Sequence, residues 1–69
     1  MEINYPLIGD YIELSKLLKV VGICDTGGHA KLFISEGLVA VDGVVETRKK
    51  CKIRRGQWVQ VDSQRILIT

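Results

Sequence analysis

The densest chemistry in the chain is Arg48-Lys49-Lys50-Cys51-Lys52-Ile53-Arg54-Arg55, six cations in eight residues with no acid among them. Like charges at this spacing repel, which weakens a fold unless an anion neutralises them. Guarding an exposed strand edge against aggregation needs only one or two lysines. The run therefore points to a polyanionic partner. An anionic membrane surface usually needs an amphipathic helix or lipid anchor beside the charge, and neither is visible. The phosphates of a nucleic acid fit better. Charge alone leaves RNA and DNA both open.

A second candidate contact is Gly27-Gly28. If a helix starts there, the amides of Gly27, Gly28 and His29 lack helical acceptors and sit at a positive dipole end, with no side chains to keep a phosphate away. A flexible turn is the competing reading. His29 itself reads as a surface or packing residue. Catalysis has little to stand on: one histidine, no Ser/His/Asp arrangement, no P-loop and no dinucleotide fingerprint. Cys24 and Cys51 form no C-x-x-C pair, and with His29 they are one ligand short of a closed zinc site. They read as small apolar packing residues. Neither enzyme activity nor a cofactor or metal is expected.

These groups need a frame to hold them. Sixty-nine residues, 46% of them hydrophobic, make one domain with a core and argue against disorder. No stretch approaches the roughly 18 consecutive apolar residues of a membrane span. The start, Met1-Glu2-Ile3-Asn4-Tyr5-Pro6, lacks the basic residues and apolar run of a secretory signal. A cytoplasmic location follows as the expectation. Net charge is only +2, but residues 1–47 carry three lysines against seven acids, and residues 48–69 carry seven basic residues against one acid.

Residues 1–10 read as a lead-in, with an extended segment at 2–5 ending at Pro6. Leu14, Leu17, Leu18 and Val21 then recur at helical spacing, predicting a helix over 11–21 capped by Asp10 and stopped at Gly22, with Lys16 and Lys19 facing away from the apolar stripe. A second helix is predicted over 27–36, capped by Thr26 or Asp25, burying Ala30, Phe33 and Ile34 and released at Gly37. Lys31 and Ser35 share one flank of it, and Leu32 points away from the core. Residues 38–41 and 44–45 around Asp42-Gly43 read as a hairpin with a type I′ turn. Strands over 57–61 and 65–68 follow, with a short one near 51–53 inside the basic loop. Helices followed by strands indicate an α+β fold, two helices packed on a small, mainly antiparallel sheet. Phe33 lies on the core face, Tyr5, Tyr11 and Trp58 are scattered, and Trp58 reads as sheet packing. With few rings for stacked bases, phosphate and ribose contacts to folded RNA become the expected mode.

Residues 12–61 resemble the S-four RNA-binding domain, named after small-subunit ribosomal protein four and also called the αL motif. The resemblance rests on Leu14-x-x-Leu17-Leu18, Gly22, Ala30-Lys31-x-x-Ile34, Gly37-x-Val39-x-Val41-Asp42-Gly43, Val45, and the closing Gly56-Gln57-Trp58-Val59-Gln60-Val61. The stretch from Glu46 to Ile53 is similar to a subgroup of short, stand-alone bacterial members. The resemblance implies an RNA face formed by helix two and the hairpin, with Lys31 where the family usually has an arginine. Glu13-Leu14-Ser15 stands where Arg-Leu-Asp is common, and Gly27 replaces a frequent basic residue. These departures move the expected contact toward Arg48, Lys49, Lys50 and Lys52. The expected site is thus Lys31, Arg48, Lys49, Lys50 and Lys52, with Arg54, Arg55, Gly27 and Gly28 secondary. The expected protein is a cytoplasmic monomer that binds structured RNA, ribosomal or transfer RNA. The alternative is an interaction module that guides a separate RNA-modifying enzyme or binds an acidic protein.

Overall fold

The computed structural model describes residues 2–69; Met1, the first residue of the lead-in, lies outside them. The chain runs β1 (Glu2–Tyr5), β2 (Ile12–Glu13), α1 (Leu14–Val20), α2 (Gly27–Ser35), β3 (Val39–Val41), β4 (Val44–Val45), β5 (Lys52–Ile53), β6 (Trp58–Val61) and β7 (Gln64–Ile68). Both helices end in the same motif. Past α1 the amide of Gly22 donates to the Lys19 carbonyl and that of Ile23 to Leu18; past α2 Gly37 donates to Ile34 and Leu38 to Phe33. This double closure satisfies carbonyls that a helix end leaves unpaired, and it needs a positive φ, which is +84° at Gly22 and +77° at Gly37. Thr26 caps α2, its hydroxyl accepting from the His29 amide at 3.1 Å.

The main sheet has the order β1-β7-β6-β3-β4. Its pairings are antiparallel except for β1 with β7, which are parallel. The lead-in thus becomes an edge strand, and the sheet is mixed. Alternation along the strands turns Val39, Val59, Val61, Ile66 and Ile68 to one face, where none is more than 3% exposed. Leu14, Leu17 and Leu18 of α1 and Ala30 and Ile34 of α2 complete that core, with Cys24 inside it and Cys51 packed at its margin. Asp42 and Gly43 both have positive φ, as a type I′ turn requires. The Asp42 carboxylate accepts from the Trp58 amide and the Gln57 side chain, each at 3.0 Å. Among the described residues no buried side-chain polar atom lacks a partner, and no helix is long and apolar enough to cross a membrane.

Helix one differs from its expected limits. Instead of beginning at Tyr11 behind an Asp10 cap it begins at Leu14, after the non-helical Glu13. The reason is tertiary: Ile12 and Glu13 pair antiparallel with Ile53 and Lys52, a two-stranded ladder that buries both isoleucines. Phe33 is half-buried at the edge of the core, and the His29 ring meets it edge-on at 4.6 Å.

Candidate nucleic-acid interface

No side chain caps α1. Its first amides instead reach the basic loop: Leu14 N–H donates to the Cys51 carbonyl at 2.9 Å and Ser15 N–H to the Lys49 carbonyl at 3.1 Å. Two of the donors that a helix start leaves free are satisfied in this way. The β2–β5 ladder continues the attachment, so the loop lies against the start of helix one, and Lys49 and Lys50 come beside Lys16.

A hollow of about 260 Å³ opens at this junction. Lys16 and Lys19 of α1, Lys31 of α2, and Lys49 and Lys50 of the loop surround it, with Gly27, Ser15 and Glu13 completing the wall. None of the five lysines makes an ion pair with a carboxylate among the described residues. Gly27 has neither a positive φ nor any atom within 4 Å of where a Cβ would stand. The fold therefore does not require glycine there, and the missing side chain leaves the hollow open. Gly28 does not line it. The His29 amide, taken by Thr26, is not free for an anion.

The remaining cations divide. Arg48 is bound at two points by Glu46, Nε to Oε2 and Nη2 to Oε1 at 3.0 Å each, while its backbone N–H donates to the same carboxylate at 2.9 Å. These bonds, led by the side-chain ones, hold the Glu46 carboxyl down at about 2. Burial, reinforced by the neighbouring Glu46, pushes the Cys51 thiol up. The Arg55 guanidinium donates to the carbonyls of Leu7 at 2.6 Å and Gly9 at 2.9 Å, and so holds the lead-in against the body. Lys52 and Arg54 lie over the Tyr11 ring, with Nζ and Cζ 4.9 and 5.8 Å from its centre.

Of the residues singled out from sequence, Lys31, Lys49, Lys50 and Gly27 meet at one hollow. Arg48 and Arg55 are engaged within the chain, because Glu46 and the lead-in carbonyls lie within their reach. Within the basic run, Arg48, Lys49, Lys50 and Lys52 line one concavity of about 790 Å³, while Arg54 and Arg55 lie outside its wall. Lys16, Lys19 and Tyr11 were left out of the expected site. For the lysines the available signal was their spacing, three apart on the outward side of a helix; for Tyr11 it was its place beside an inward isoleucine.

The chain resembles known proteins in sequence and in fold. YbcJ of Escherichia coli K12, named as a candidate RNA-binding protein, is 55% identical over 49 residues, 71% of this chain and 70% of its own length. YbcJ of Shigella flexneri matches to the same extent. The solution structure of E. coli YbcJ, described as having an αL motif involved in RNA-binding, superposes with a TM-score of 0.74 at 42% identity, covering 96% of this chain and 85% of that one. The S4 domain profile matches residues 5–69, which takes in both helices, the loop between β4 and β5, and every strand from β2 onward. With the profile spanning residues 5–69 and the fold in agreement, the chain belongs to the S4 domain family.

Proposed function

We propose that this chain is a non-catalytic RNA-binding protein that acts in the cytoplasm as a monomer and grips structured RNA, ribosomal or transfer RNA, at the lysine hollow. The observation that carries this reading is the meeting of five lysines from three separate segments, unpaired with carboxylates, around one concavity. Concentrating positive charge there lowers stability unless an anion occupies it. A sugar–phosphate backbone supplies regularly spaced anions. The name and the αL motif of E. coli YbcJ support RNA as their source. Lys31, Lys49 and Lys50 contact phosphates with Lys16 and Lys19. Gly27 leaves room for the backbone, Lys52 and Arg54 extend the track, and Arg48 joins when it exchanges Glu46 for a phosphate.

The test is filter binding to purified transfer RNA and ribosomal RNA. Engaging about four to six phosphates gives a log–log salt slope of about −3 to −5. Replacing Lys31, Lys49 and Lys50 together with glutamine should lower affinity at least about tenfold and leave the helical circular dichroism unchanged. A salt-independent affinity, or an unchanged one in the triple variant, overturns the reading.

A second reading draws on Leu38, Val44 and Val45, apolar and 50%, 70% and 60% exposed at the hairpin. In it the chain docks on a protein, including an enzyme that it guides to RNA. A stoichiometric partner retained after ribonuclease treatment is the result that favours it.

A further inference from the structure

Tyr11 is aromatic without a packing reason to be. It is 43% exposed, since Ile12 and Ile53 occupy the inward side of the β2–β5 ladder and leave Tyr11 facing out. Two cations lie over its ring, Lys52 Nζ at 4.9 Å and Arg54 Cζ at 5.8 Å from the ring centre. A base that stacks on a covered face therefore takes a cation's place and leaves that cation to the flanking phosphate. A π-face with positive charge within a few ångströms matches the chemistry of one nucleotide, which offers a flat base and flanking phosphates. The location suits it too. Tyr11, Ile12, Glu13 and Lys16 line a concavity of about 280 Å³. Glu13 and Lys16 also line the lysine hollow, so the two concavities are neighbours that share a wall.

We propose that Tyr11 is a stacking platform for one unpaired nucleobase, with Lys52 and Arg54 receiving the phosphates beside it. The proposal rests on the RNA-binding reading and deepens it. The preferred ligand becomes a paired RNA segment, held by the lysines, next to a nucleotide free to leave its helix.

A tyrosine that merely holds Lys52 and Arg54 in place would also matter for binding, so the test must separate the two roles. Wild type, Tyr11→Phe and Tyr11→Leu are each titrated into two RNAs of equal phosphate number. One is a hairpin with a fluorescent aminopurine in its single-stranded loop; the other is a blunt duplex. Tyr11→Leu should bind the hairpin about tenfold more weakly and the duplex within about twofold of wild type. Tyr11→Phe should behave as wild type on both. Aminopurine fluorescence should be quenched by wild type and Tyr11→Phe but not by Tyr11→Leu. Equal losses on the two RNAs, no loss on either, or unquenched fluorescence with wild type overturns the stacking role. A wild-type protein that binds neither RNA overturns the RNA-binding reading, and the stacking role with it.

Discussion

Glu46 sets how much of the basic loop's charge is available. Its carboxylate sits against the Arg48 guanidinium and backbone N–H, and its folded-state pKa of about 2 lies below the ordinary 4.5. A carboxyl depressed on folding stabilises fully above its unfolded value and loses that contribution as pH falls through the folded one. Unfolding by urea should therefore become easier between about pH 4.5 and pH 2, and Glu46→Gln should flatten that part of the profile. The same substitution frees Arg48 for a phosphate at neutral pH. The log–log salt slope of RNA binding should then steepen by about 0.7 to 0.9, one more phosphate engaged. Arg55 is expected to behave in the opposite way. Its guanidinium serves the Leu7 and Gly9 carbonyls, so Arg55→Met should cost about 1 kcal/mol in chemical denaturation and leave RNA affinity within about twofold.

At the scale of elements, two glycines that look alike in the sequence separate cleanly. Gly22 closes α1 at φ +84°, where a Cβ is strained, so Gly22→Ala should lose about 1 to 2 kcal/mol of stability. Gly27 begins α2 at an ordinary φ with open space around it, and Gly27→Ala should be close to neutral by the same measurement. Helix two was legible because its signals are local: Thr26 caps it, Ala30 and Ile34 mark its buried side, and Gly37 ends it. The hairpin was legible for the same reason, through Asp42-Gly43. The start of helix one was not. Asp10 is a good capping residue, but Ile12 and Glu13 pair with Ile53 and Lys52 far along the chain, and no neighbouring residue announces that pairing. The candidate site divided along the same line. Lys49 and Lys50 stood out as a run, whereas Lys16 and Lys19 lie in an acidic stretch of sequence and join them only when the loop caps the helix.

For the molecule as a whole, where a charge sits decides more than how many there are. The acidic and basic halves of the sequence do not map onto two halves of the surface, since Lys16, Lys19 and Lys31 come from the acidic one. Arg65 comes from the basic half, yet it stacks on Trp58 at 4.6 Å on the side of the sheet that carries no helix. Lys31→Gln and Arg65→Gln remove the same formal charge. At physiological salt, where screening acts over about 8 Å, only the first should weaken RNA binding several-fold; the second should stay within about twofold, with both read by the same titration.

The Leu14 and Ser15 amides bond to the loop carbonyls in the chain by itself. The segment bearing Lys49 and Lys50 is thereby held in shape before any ligand arrives, and little of its freedom remains to be lost on association. The two amides are also a natural reporter. Slow solvent exchange at Leu14 and Ser15 would mark the grip as preformed, and their exchange rate would time each release of the loop from the helix.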